Sequence, residues 1–397
     1  MKKMLLASVA TLGVASAALA AGHGNDVKLG IALGFSGPLD SLAPPMEAGA
    51  KFAIEKINET GMFLDGANIT SVSGDSTCVD AGAATATAER LITAEGINGL
   101  VGAMCSGATG AIVSNVSVPN GMVQISPSAT SPALSTIEDN GLFFRMAPSD
   151  ARQGEVMTEV IMEQGVKTVA LTYTNNDYGK GLADSFAAAF EAAGGTVTIN
   201  APHDEAKGDY SAEIGALASA GGDALVVAGY ADGGGAGIIQ AALDTGSFEQ
   251  FILPDGMISD TLTDAFGADL DGSFGQIPAP AGDGAGTFAE MVGDAFDATS
   301  AYAGESFDAA AVLLLAMQAA GSSAPADYLP KILEVANAPG EPIGPGDLEK
   351  ALQILKDGGD IDYSGATGVE LIGPGESGGT YREVIVEGGE FKTVQIR

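Results

Sequence analysis

Two turns in this chain place small hydroxyls where a parallel sheet collects its ligands. The first, "CSGATG" (105–110), ends an apolar run and opens a helix. Free N–H groups at a helix start favour an anion. Ser106 and Thr109 add hydroxyl donors, and Gly107 lets a ligand approach the backbone. The second turn, "ISPSATSP" (125–132), follows the apolar segment Gly121-Met122-Val123-Gln124 and is stiffened by Pro127 and Pro132. It offers Ser126, Ser128, Thr130 and Ser131 around Ala129. Neither turn contains Lys or Arg. Neutral donors without a cation suit a carboxylate better than a phosphate. Either turn alone reads as ordinary helix capping by Ser or Thr. Two of them in adjacent loops point to a grip on something small and polar.

Three later turns carry further candidates. "GYADGGGAG" (229–237) offers Tyr230 to stack or hydrogen-bond, and "LPDGM" (253–257) offers Asp255 to face a cation. "NDYGKG" (176–181) offers Tyr178. Two of these have a plain alternative: Pro-Asp-Gly is a standard turn sequence, and Tyr178 stands in what also reads as a turn into a helix.

Catalysis is hard to assemble from these residues. His23 lies at the start of the mature chain and His203 in the charged loop "PHDEAKGD", and neither has a Gly-x-Ser-x-Gly elbow nearby. "DGGGAG" lacks the glycine spacing of a dinucleotide fingerprint, and there is no phosphate-binding Gly-x4-Gly-Lys-Ser/Thr loop. No cluster has metal-ligand spacing. No enzyme activity, cofactor or metal is expected.

The elements that would position the turns follow a β-α rhythm. Strands are predicted at 27–35, 68–74, 97–104 and 121–126, with helices at 44–60, 80–95 and 107–118 between them. The rhythm restarts after Asp150 with helices 151–164, 179–193, 211–220 and 235–245 alternating with strands 168–173, 196–200, 224–230 and 251–254. Residues 285–320 read as helical, 321–346 as an irregular excursion around a short helix, 347–357 as a helix, and the end as a hairpin about Gly388-Gly389. This pattern predicts two parallel α/β sheets covered on both faces. In such sheets ligands collect at the carboxyl ends of strands.

The 397 residues suit two lobes, and 46% are hydrophobic. A formal charge of −34 excludes the basic patches that nucleic acid and anionic membranes require. "MKKMLLASVATLGVASAALA" (1–20) has a basic start, an apolar stretch and a small-x-small end, which predicts an export signal cleaved near Ala20/Ala21. No later segment reaches the roughly 18–20 apolar residues of a membrane span. The only two cysteines, Cys78 and Cys105, most simply form one disulfide in an exported chain.

Together, "LGFSGPLDS" (33–41), "GAKFAIEKINETG" (49–61), the Cys78 and Cys105 pair, "ISPSATSPAL" (125–134), "RMAPSDARQG" (145–154) and "NDYGKGLADSF" (176–186) resemble the leucine/isoleucine/valine-binding protein family. Its members are type I periplasmic solute-binding proteins of ABC importers. The resemblance runs in order from about residue 27 to the C-terminus and is weakest over 279–300 and 321–346. It implies two doubly wound α/β lobes closing like a Venus flytrap about a three-crossover hinge. Residues 21–147 and 279–378 would form the N-terminal lobe, and residues 148–278 and 379–397 the C-terminal lobe. It further implies a monomer that captures an amino acid, branched-chain ligands foremost, and delivers it to a membrane permease from the periplasm. By motif, Ser106 and Thr130 take hydroxyl-donor roles on the ligand carboxylate, with the Ser128-Ala129 backbone beside them. Tyr230 falls on the family's cleft tyrosine, Tyr178 on a loop lining the second lobe, and Asp255 where a glutamate often meets the ligand ammonium. Two departures stand out: Asp255 is one methylene shorter than Glu, and Leu42 stands where relatives often have an aromatic. An amide or a small organic or aromatic acid, or a sensor role, remain open within the same frame.

Overall fold

The computed structural model describes residues 26–279 and 282–397. The predicted signal peptide, its cleavage point and His23 lie outside the described residues. Five strands, β1 (Val27–Leu33), β2 (Ile69–Asp75), β3 (Gly99–Gly102), β4 (Gln124–Ser126) and β5 (Phe143–Pro148), run parallel in the first sheet. Five more, β6 (Thr168–Thr174), β7 (Thr196–His203), β8 (Ala224–Ala228), β9 (Phe251–Leu253) and β10 (Phe274–Ala279), run parallel in the second. A small pair, β11 (Glu341–Ile343) with β12 (Ile361–Tyr363), stands apart from both.

The late chain then returns to both sheets. β13 (Leu371–Ile372) and β14 (Glu376–Ser377) complete the first, in the order β13-β14-β5-β4-β3-β1-β2. β15 (Thr380–Glu387) and β16 (Glu390–Ile396) complete the second, in the order β16-β15-β10-β9-β8-β6-β7. β14 joins β5 in parallel and β15 joins β10 antiparallel, while β13–β14 and β15–β16 are antiparallel pairs, so each seven-stranded sheet is mixed at one edge. The chain passes between the sheets three times: after β5, after β10, and between β14 and β15.

Burial explains the layers. β1, β3, β4, β8 and β9 are almost wholly buried, as strands covered on both faces must be. The helix Ala43–Thr60 buries Met46, Ala50, Ala53, Ile54 and Ile57 on one stripe. It packs against the helix Ala303–Ala320, where Gly49 is needed: a Cβ there would stand 2.2 Å from the Ala303 carbonyl oxygen. Ala303–Ala320 is buried from end to end up to Gln318, so its apolar run is a core helix. Among the described residues no single helix is long and apolar enough to cross a membrane. Phe52, Phe288, Phe296 and Phe307 cluster beside it with ring centroids 5.0–6.3 Å apart. Each fully buried ring contributes about 1.5–3 kcal/mol.

Three expectations need correction. Residues 285–320 are not one helix: Gly284–Val292 ends at Gly293 (φ 55°), and the chain is helical again only from Ala303. Asp297 turns back to accept from the Thr299 N–H and hydroxyl, which holds the intervening loop out of helical geometry. Strands β5 and β10 were absent from the predicted rhythm. His203, expected in a loop, ends β7, and its ring is buried.

Candidate functional site

The two hydroxyl turns sit at the carboxyl ends of the neighbouring strands β3 and β4, and they are knitted together. The Ser106 hydroxyl, at the start of the helix Ser106–Ile112, accepts from the Thr130 and Ser131 N–H groups at 3.2 and 3.1 Å. Ser128 donates to the Met104 carbonyl at 2.8 Å, and Ser126 to the Ala103 carbonyl at 2.6 Å. Among the described residues, the buried Thr130 hydroxyl meets no partner within hydrogen-bond geometry. The Cys78–Cys105 disulfide pins the loop after β2 to this helix start.

Arg145 fixes the second turn from below. It is 1% exposed and donates to the Ala129 carbonyl at 3.1 Å and the Ser131 carbonyl at 3.0 Å. The same guanidinium reaches the Ser135 hydroxyl at 2.7 Å and Glu376 of β14 at 2.5 Å.

The second sheet presents an aromatic and acidic face opposite. Tyr178 opens the helix Asp177–Ala192 and stacks on Tyr230, with centroids 5.2 Å apart and planes 12° apart. Asp255 follows β9 and is buried. It accepts from the Tyr178 hydroxyl at 2.9 Å and from the Tyr302 hydroxyl at 2.6 Å. Burial pushes the Asp255 carboxyl above its ordinary range, against the pull of the two tyrosines. Leu42, Ser106, Ser128, Tyr178, Tyr230 and Asp255 all line one cavity, together with Tyr302. Ala129 and Thr130 are buried beside it but are not among its lining residues. The cavity measures about 20 Å³, room for about one water. Ser41 of the first lobe latches the mouth by donating to Asp232 of the second at 2.5 Å.

Sequence reasoning missed four residues around this cavity. Tyr302 stands in the loop mistaken for helix, in a left-handed conformation (φ 61°). Asp150 and Gln153 share the first turn of the helix Asp150–Glu163; both are fully buried, and among the described residues neither side chain meets full hydrogen-bond geometry with a partner. Burial pushes the Asp150 carboxyl well above its ordinary range; the Asp255 charge adds to this, and Arg145 and Thr130 oppose it. Gln153 leans on Asp255 closely enough to favour its charge. Arg145 and Asp150 both lie in a motif already singled out, "RMAPSDARQG", but the pattern alone gives them no role. Among the described residues, no group of His, Cys, Asp and Glu could hold a metal ion.

Buried carboxyls make stability depend on pH. Burial pushes Glu305 up to about 8 and Asp308 up to about 6, and pushes His203 down to about 4. A carboxyl raised on folding stabilises the fold at low pH, and that contribution fades as pH rises through the folded value. His203 acts the other way, but only between about 4 and its ordinary 6.5. Above 6.5 the carboxyls alone remain, so the melting temperature of the ligand-free protein falls from pH 6.5 to about pH 8.5. Thermal melts across that window check this, and a flat or rising profile would contradict it.

A family model described as periplasmic binding protein matches residues 26–351. The chain belongs to the periplasmic binding protein family. Within it, this binding protein is 30% identical over 275 residues to the leucine-, isoleucine-, valine-, threonine-, and alanine-binding protein of Pseudomonas aeruginosa, covering 69% of this chain and 71% of the relative. Its fold matches the leucine binding protein LivK of Thermotoga maritima with a TM-score of 0.78 at 21% identity, over 93% of this chain and 98% of that one. It also matches a solute binding protein of R. palustris solved in complex with 4-hydroxybenzoate, with a TM-score of 0.72 at 15% identity, over 94% and 97% of the two chains. The type I fold of two lobes is thus shared across solute-binding proteins with different ligands.

Proposed function

We propose that this protein captures a small amino acid, branched-chain ligands first among them, between its lobes and delivers it to the permease of an ABC importer. The observation that carries this reading is Asp255. It is a buried carboxyl held by two tyrosines, in a cavity lined by neutral donors and no Lys or Arg. A zwitterion suits both faces: its ammonium answers Asp255, and its carboxylate takes the Ser106 hydroxyl, with the Ser128-Ala129 backbone and Thr130 holding that hydroxyl turn from behind. Each charge-assisted bond contributes about 1.5–3 kcal/mol. Tyr178 and Tyr230 cover the ligand, and Leu42 bounds its side chain.

In this reading residues 21–147 with 279–378 form one lobe and 148–278 with 379–397 the other. The three passages between the sheets are the hinge. Opening admits the ligand, and the ligand's better fit to the closed form shifts the population back. The chain is a periplasmic monomer after cleavage near Ala20/Ala21. The P. aeruginosa relative supports the amino acid ligand. A second reading, an aromatic acid stacked among Tyr178, Tyr230 and Tyr302, has the 4-hydroxybenzoate complex in its favour.

Thermal unfolding against L-amino acids, amides and small organic acids separates the two. Ligand at 100 times its dissociation constant adds about 2.7 kcal/mol of stability, a rise of several degrees. A shift with branched-chain amino acids is expected. A shift confined to acids without an amine would overturn the zwitterion reading.

A further inference from the structure

A cavity of about 320 Å³ lies beside the cleft, against the second passage between the sheets and the strand β15 that follows the third. Its walls include the apolar Ile277, Phe288 and Ile396, and its polar groups include Glu305 and Arg382. Among the described residues, the buried Arg382 Nε has no hydrogen-bond partner. Glu305 is 6% exposed, and burial pushes its carboxyl up to about 8, so near neutral pH it is mostly an uncharged acid. The cavity therefore offers one unmatched cation, a neutral O–H donor and an apolar wall. An amine would be repelled by Arg382. A dianion would find only one cation. A carboxylate matches the planar guanidinium fork, and an apolar body fits the wall.

We propose that this cavity is a second binding site, separate from the cleft, for a small monocarboxylic acid with an apolar body. The partition between the two sites is thin. Tyr302 lines this cavity and also reaches the cleft, where its hydroxyl meets Asp255 at 2.6 Å. Leu42 borders the cleft on one side and, on the other, an adjoining cavity of about 240 Å³ that Arg382 shares. An acid seated on Arg382 fixes Tyr302 and so the Asp255 carboxyl. Any such coupling is reciprocal: the cleft ligand changes affinity for the acid by the same factor.

Sodium benzoate is the probe, titrated calorimetrically into the full chain and three variants. Arg382→Gln removes the cation, Ala285→Leu fills the cavity, and Ser106→Ala disables the cleft turn. Benzoate is expected to bind the unaltered protein and Ser106→Ala alike. Its affinity drops about tenfold or more in Arg382→Gln, by loss of a charge-assisted pair. It drops again in Ala285→Leu, which tests the cavity even if Arg382→Gln folds poorly. No binding to the unaltered protein at millimolar benzoate overturns the proposal. So does loss in Ser106→Ala with Arg382→Gln unaffected, which would put benzoate in the cleft.

Discussion

Asp255→Asn is expected to remove tight amino acid binding while leaving the ligand-free fold intact. The ligand ammonium would lose its counter-charge in a closed, buried cavity. Truncating one partner of such a pair costs about 2–5 kcal/mol, hence about 30-fold or more in the dissociation constant. The empty protein responds differently. Its Asp255 carboxyl is pushed upward by burial and is close to a second acid, Asp150, that is pushed further. A neutral amide removes that repulsion and still accepts from a tyrosine hydroxyl. The melting temperature of ligand-free Asp255→Asn should therefore match the parent or exceed it. Calorimetric titration with leucine and a thermal melt measure the two effects on one sample. Normal binding would end the ammonium reading. Lost binding with a collapsed melt would mean that Asp255 is a structural residue.

The legible part of this molecule was the part written in local pattern. Alternating apolar runs gave both parallel sheets, because a covered strand needs nothing but apolar residues and a turn. The hydroxyl turns were legible for the same reason. Strand β5 was not, because Arg145 follows Phe143-Phe144 with a charge whose salt-bridge partner, Glu376, lies 231 residues away. Strand β10 carries Gln276 and Pro278, both poor strand signals, and pairs with β15 from the far end of the chain. Asp150 and Gln153 look like a solvated helix start in sequence, and only the return of three chain passages to one place buries them. Tyr302 needs the left-handed turn after a broken helix to reach Asp255. These residues depend on long-range closure, which a reading of neighbours does not contain.

The same closure makes Arg145 the largest expected contributor to stability among single side chains near the cleft. Arg145→Ala leaves Glu376 without its cation and the Ala129 and Ser131 carbonyls without a donor. Breaking a buried pair in this way costs about 3–5 kcal/mol. The converse change, Glu376→Gln, should cost less, because the Glu376 side chain is 16% exposed and water can reach it. Urea unfolding of the two variants orders them, and equal losses would refute the burial argument. The consequence for binding follows from geometry. Arg145 clamps the carbonyls on either side of Thr130, so it keeps the N–H groups of that turn on the Ser106 hydroxyl, which lines the cleft. Its other end grips β14, the strand that enters the last passage between the sheets. One guanidinium thus ties the proposed ligand turn to the proposed hinge. A variant rescued in stability by an added ligand should still bind that ligand more weakly than the parent.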